Sequence, residues 1–225
     1  MITGRHADGR RFEQKVTSRN KKIRIDQKDL VELELGELPA VEELYIRAER
    51  LVALSLEPLA NTKLSTLKLI GELPALDLSP LSGLPLTELV ISGGPPELDL
   101  APLATCTELT DLSIYDGSLA AIDLAPLANC SKLRLMWLRS LQLTELDLRP
   151  LADLPGFNAA VCDGSKLTTV TLGDHGFRAI THLAIEKNPL ETVDVGVLAT
   201  SRTLKSLRVP HDFPLPFQRK EIVYV

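Results

Sequence analysis

A short pattern, apolar–x–apolar, returns every 21 to 24 residues along this chain. It stands at Leu33/Leu35, Leu54/Leu56, Leu76/Leu78, Leu98/Leu100, Ile122/Leu124, Leu146/Leu148, Val170/Leu172 and Val193/Val195. In five consecutive copies x-Pro-Leu follows, at Pro58-Leu59, Pro80-Leu81, Pro102-Leu103, Pro126-Leu127 and Pro150-Leu151. Four copies carry Asp in the middle: Asp77, Asp99, Asp123 and Asp147. A second pattern, apolar-x-x-apolar-x-apolar, lies between copies of the first. It reads Val41-Leu44-Ile46, Leu64-Leu67-Leu69, Leu86-Leu89-Ile91, Leu109-Leu112-Ile114 and Leu133-Met136-Leu138, weakens at Phe157-Ala160-Cys162, and recovers at Ile180-Leu183-Ile185 and Leu204-Leu207-Val209. A unit of this length cannot bury its own apolar face, so it must stack on copies of itself.

The stacking predicts local structure. The last two apolar residues of the second pattern are two apart, as in a strand with one face inward, and neighbouring units then pair as a parallel sheet. Pro fixes φ and lacks an N–H, so x-Pro-Leu predicts a tight turn or one turn of 3-10 helix. Units this short leave no room for a full outer helix. The expected fold is a repeat solenoid of about eight units, with a parallel β-sheet on the concave face and short turns, 3-10 and extended segments on the convex face.

Units such as LTELVISGGPPELDLAPLATC (86–106) and LTDLSIYDGSLAAIDLAPLANC (109–130) resemble leucine-rich repeats. The x-Pro-Leu-Ala segment is similar to the outer segment of the bacterial, internalin-like type. The resemblance covers roughly residues 30–209 and implies a curved solenoid that binds other proteins, with no catalytic residue. The chain departs from the pattern where an Asn usually follows the strand; Gly93, Gly117 and Ser140 lie nearby instead.

Solenoid ends expose their core and need covers. All 44 leucines lie beyond residue 29. Residues 1–29 are therefore expected to form an N-terminal cap, hairpin-like around Ser18-Arg19-Asn20-Lys21. Residues 210–225, with Phe213, Phe217, Ile222 and Tyr224, are expected to close the other end. Unit six, with Pro155-Gly156 and Ala159-Ala160, predicts a local defect or bulge. A monomer is expected.

Charge narrows the partner. Residues 1–29 carry nine basic and four acidic side chains, whereas 30–209 carry 14 and 24. The acidic body would repel phosphate, so nucleic acid is not the expected partner. No apolar run approaches the roughly 20 residues that span a bilayer, and the N-terminus lacks the apolar core of a secretory signal. Three cysteines, an odd number, fit reduced thiols in a cytoplasmic setting.

Strand direction assigns the outward residues. One lateral row is Tyr45, Lys68, Val90, Ser113, Trp137, Val161, Ala184 and Arg208, and the next is Arg47, Ile70, Ser92, Tyr115, Arg139, Asp163 and Glu186. Trp137, the only tryptophan, falls near the middle with Tyr115 and Arg139 beside it, and these residue types dominate binding hot spots. Two other readings stand beside this one: burial of Trp137 through a shifted register in Leu133–Leu138, and cover by a long neighbour without function. The expected protein-binding strip is Tyr115, Trp137 and Arg139, with Tyr45, Lys68, Asp163, His182 and Glu186 around it.

Stacked Asp77, Asp99, Asp123 and Asp147 could share calcium, but a short acceptor for backbone N–H groups before Pro accounts for them better. Cys106, Cys130 and Cys162 fall at small inward positions and read as structural thiols. His6, His175, His182 and His211 lie in no catalytic motif, and no phosphate-binding loop occurs. No metal or cofactor is expected. The reading is a non-catalytic recognition module; the alternative is a structural or regulatory segment of a larger protein whose activity lies elsewhere, which a reading frame continuing past Val225 would favour.

Overall fold

The computed structural model describes residues 1–199 and 201–214, and the backbone of 222–224. The chain opens with an antiparallel hairpin, β1 (Ile2–His6) and β2 (Arg11–Gln14), turning through Gly9 at φ 87°. β3 (Lys22–Asp26) leaves this hairpin and pairs in parallel with β5 (Glu43–Arg47), while β4 (Leu30–Glu34) pairs antiparallel with β1. In and just beyond the region expected to form the cap, β2, β1 and β4 make a three-stranded sheet in the order β2-β1-β4. The hairpin expected around Ser18–Lys21 is corrected: the reversal lies at residues 7–10, and residues 17–20 form a separate turn in which Asn20 Oδ1 accepts from the Thr17 N–H and hydroxyl, both at 2.8 Å. The cause is burial. Ile23 and Ile25 stand level with Leu44 and Ile46 and are buried with them, so they extend the core ladders instead of folding back on Phe12. Basic residues of this region reach acids of the first unit: Lys21–Glu42 and Lys22–Glu43 at 2.7 Å, and Lys28–Glu49 at 3.4 Å.

From β5 onward the apolar-x-x-apolar-x-apolar segments form β6 (Thr66–Ile70), β7 (Glu88–Ser92), β8 (Asp111–Tyr115), β9 (Leu135–Arg139), β11 (Ala159–Val161), β13 (His182–Ala184) and β15 (Ser206–Val209). With β3 and β16 (Ile222–Tyr224) they make a ten-stranded sheet, all parallel. The inward residues stack rung on rung. Leu44, Leu67, Leu89, Leu112, Met136, Ala160, Leu183 and Leu207 form one buried ladder, and Ile46, Leu69, Ile91, Ile114, Leu138, Cys162, Ile185 and Val209 the next. Burial of each Leu, Ile, Met or Val in these ladders contributes roughly 1.5–3 kcal/mol relative to exposure, and of the smaller Ala160 and Cys162 less.

Unit six does not bulge. β11 shortens to three residues, yet Ala160 stays level with Met136 and Leu183. Phe157 and Phe177, both buried with ring centroids 6.1 Å apart, supply bulky aromatic packing to the core of this unit. After the strands, a column of left-handed residues turns the chain: Gly93, Asp116, Ser140, Gly164 and Lys187, at φ 74°, 53°, 52°, 64° and 57°. Gly71 precedes them where the backbone of the previous unit leaves no room; a Cβ there would sit 1.9 Å from the Ala48 carbonyl oxygen.

On the convex side, the x-Pro-Leu segments form 3-10 turns at Glu57–Leu59, Ser79–Leu81, Ala101–Thr105, Ala125–Asn129 and Arg149–Leu151, each with Pro in its first positions. From unit six the convex segments also pair, as β10 (Glu145–Asp147), β12 (Thr169–Thr171) and β14 (Thr192–Val193) in a parallel three-stranded sheet. At the far end Phe213 packs partly buried against the core; Phe217 and the side chains of Ile222 and Tyr224 lie outside the described residues. Among the described residues, no helix is long and apolar enough to cross a membrane.

Candidate functional site

The two outward rows form as the spacing predicts. Tyr45, Lys68, Val90, Ser113, Trp137, Val161, Ala184 and Arg208 are level with one another across consecutive strands, and Arg24 extends the row at its start. Arg47, Ile70, Ser92, Tyr115 and Arg139 form the second row. A third row, before these two, holds Lys22, Glu43, Thr66, Glu88, Asp111, Leu135, Ala159, His182 and Ser206. Trp137 is therefore on the concave surface and not in the core.

Side-chain size shapes that surface. Val90 and Ser113 precede Trp137 in its row, and Val161 and Ala184 follow it. The indole stands as a ridge with Leu135 and Arg139, between a hollow of about 760 Å³ reaching back to Tyr45 and one of about 570 Å³ reaching forward to Arg208. The floor is apolar: Ile70 and Val90 in the first hollow, Val161 and Ala184 in the second.

Ion pairs rim the floor. Lys68 Nζ lies 2.7 Å from Glu88. Arg139 grips Asp163 with two nitrogens, Nε to Oδ1 at 2.5 Å and Nη2 to Oδ2 at 3.3 Å. The Asp163 carboxylate pushes the Arg139 guanidinium above its already high ordinary pKa. The same guanidinium lies 5.5 Å from the centroid of the Trp137 ring, within cation–π reach. A bidentate pair on a ring face fixes the ridge before any partner arrives.

The expected strip is thus only partly assembled as drawn from the sequence. Trp137 and Arg139 meet at the ridge, and Tyr115 stands level with Arg139 on the neighbouring strand, lining the first hollow. Tyr45 and Lys68 line the first hollow, but Arg24 covers the Tyr45 ring at 3.9 Å and Glu88 holds Lys68. Asp163 and Glu186 line the second hollow yet are only 5% exposed each. Asp163 anchors Arg139 and is not a free contact; Glu186 Oε1 lies 3.6 Å from Arg208, and its Oε2 is buried with no hydrogen-bond partner among the described residues. His182 is exposed at the edge of that hollow, with Nδ1 2.7 Å from the Thr181 hydroxyl. Leu135 and Arg208 were missed as site residues. Leu135 could have been found from the third row, because it replaces the Asp111 of the preceding strand with an outward leucine.

The remaining candidates resolve as structure. Asp77, Asp99, Asp123 and Asp147 each accept the backbone N–H two residues on, from Ser79, Ala101, Ala125 and Arg149 at 2.8–2.9 Å. Asp194 does the same for Gly196. Among the described residues, no three His, Cys, Asp or Glu side chains gather as a metal site. Cys106 and Cys130 are buried one unit apart, and burial pushes the Cys130 thiol up to about 11 and that of Cys162 to about 12. Such thiols are inert at neutral pH. An Asn does follow one strand: Asn188, three residues after Ile185, is buried with both amide ends engaged. Its Oδ1 accepts from the Ser165 and Leu167 N–H groups, and its Nδ2 donates to the Cys162, Ile185 and Glu186 carbonyls.

No family model matches the chain, and no curated protein matches it. Solved structures from Listeria monocytogenes do. An internalin, InlF, is 24% identical over 76% of this chain and 54% of its own, with a TM-score of 0.49. The functional domain of InlJ, which includes a cysteine ladder, is 18% identical over 85% of this chain and 46% of its own, at 0.46. Internalin C2 is 25% identical over 74% and 70%, at 0.43. The chain spans about half the length of the first two. Its own geometry, parallel strands one unit apart over stacked leucine ladders, is that of a leucine-rich-repeat solenoid.

Proposed function

We propose that the chain is a non-catalytic recognition module that binds another protein through the concave sheet, centred on Trp137. The observation that carries this reading is the ridge itself. An indole, a leucine and a clamped arginine stand between two apolar-floored hollows, inside a rim of preformed ion pairs. An apolar, aromatic centre with a polar rim is the anatomy of protein interfaces. The strands hold the ridge in place, so association costs little ordering. The three buried, unpaired cysteines support a reducing, cytoplasmic setting for this role.

The test compares affinity capture by the wild type, by Trp137→Ala and by a convex-face control, Glu97→Arg. Loss of a captured protein with Trp137→Ala, and retention with the control, is the expected result. Equal capture by all three would remove the concave ridge as the binding surface.

A further inference from the structure

The cap sheet ends in an open edge. β2 pairs with β1 on one side, and among the described residues no strand lies on its other side. The His6 N–H donates to the Arg10 carbonyl at 2.9 Å, which sets the alternation along the hairpin. Phe12 and Gln14, opposite Gly4 and Ile2, turn their backbone groups toward β1; Arg11 and Glu13 turn theirs to the open edge. The Arg11 and Glu13 side chains are exposed, and Phe12 is half-buried against the core.

Arg11 and Glu13 flank Phe12 symmetrically. A two-fold axis through Phe12 would lay β2 antiparallel to the β2 of another copy, with each Arg11 opposite the other's Glu13. Both outward-facing residues then exchange backbone hydrogen bonds, and both pairs carry opposite charges. Neighbouring registers do worse. An axis through Arg11 sets arginine against arginine, and one through Glu13 sets glutamate against glutamate. An axis between Phe12 and Glu13 opposes a residue whose backbone faces out to one whose backbone faces in.

We propose that this edge is a self-association surface whose partner is a second copy of the chain, joined β2 to β2 in a six-stranded sheet. An exposed strand edge is a template for pairing, and a two-fold contact uses the same patch on both copies. The strand is only four residues long, so the dimer is weak and depends on concentration. This dimer departs from the expected monomer: the β2 edge lies in the region expected to cover the solenoid end and is itself open. Pairing there leaves the concave sheet free in both copies.

The test is sedimentation velocity of the whole chain from micromolar to millimolar concentration. The wild type shifts from monomer toward dimer. Arg11→Glu and Glu13→Arg each set like charges opposite one another and weaken association by about tenfold or more. The double exchange, Arg11→Glu with Glu13→Arg, restores it. Thermal melts of all four proteins confirm that these exposed changes leave the fold intact. A wild type that stays monomeric throughout, single reversals that leave a dimer unchanged, or a double exchange that restores nothing would each overturn the proposal.

Discussion

Trp137 and Lys187 show how much a single outward position can carry in a stacked fold. Trp137 is partly exposed in its row, so truncation removes contact area without opening the core. Trp137→Ala should cost less than the roughly 3 kcal/mol of a buried tryptophan, measured by urea unfolding. Lys187 is an exposed side chain held at φ 57° in the turn after β13. An L-residue there is strained by roughly 1–2 kcal/mol, and glycine relieves that at some entropic cost. Lys187→Gly should therefore raise stability by up to about 1 kcal/mol; an unchanged or lowered urea midpoint would contradict it. At this scale the sequence was only half legible. Alternation about the leucines places Trp137 and Arg139 outside, but nothing in the spacing says that Arg139 closes on Asp163 or that Arg24 covers Tyr45. Those contacts depend on rotamers of long side chains, to which periodicity is blind.

At the scale of the element, the convex turns are held by aspartates one residue before the leucine N-caps, each accepting the N–H two residues on. Asp123→Ala should cost about 1 kcal/mol, and Asp123→Asn, which keeps an acceptor, clearly less. Added calcium should leave the melting temperature of the wild type unchanged, since each carboxylate already serves its own turn. The pH dependence follows from the same bonds. Hydrogen bonds from the Ser79 hydroxyl and N–H hold the Asp77 carboxyl below its ordinary 3.8, and Arg149 does so for Asp147. A carboxyl lowered in the folded state stabilises the fold fully above the unfolded range, and that contribution is lost as pH falls through the folded value. Stability should thus drop below about pH 4, and Asp147→Asn should flatten the drop. The strands and 3-10 turns were legible because each has its own spacing of Leu and Pro. The sheet of β10, β12 and β14 was not, because the same apolar–x–apolar pattern serves extended and paired backbone alike.

Across the whole molecule, each unit touches only its neighbours, so stability is a sum along one dimension. A local lesion should therefore loosen one stretch. Asn188→Ala takes the side-chain partner from the Cys162 and Ile185 carbonyls and from two N–H groups between units six and seven, while the Glu186 carbonyl keeps the Gly164 N–H; the loss should be at least about 3 kcal/mol. Hydrogen exchange should quicken in β11–β15 and stay slow in β5–β8; uniform loss of protection would show a single cooperative unit instead. The eight-unit solenoid was legible from end to end, and its beginning was not. Ile23 and Ile25 alternate equally well for a hairpin or for a first rung, and the choice falls to whichever neighbour offers the larger apolar surface. The central claim, that the concave ridge receives the partner, has a built-in reporter, because Trp137 is the only tryptophan. Acrylamide quenching of its fluorescence, with and without saturating partner, reads that surface directly when the partner carries no tryptophan. The account predicts that the bound partner shields the indole and sharply lowers the quenching constant; an unchanged constant in the complex would contradict it.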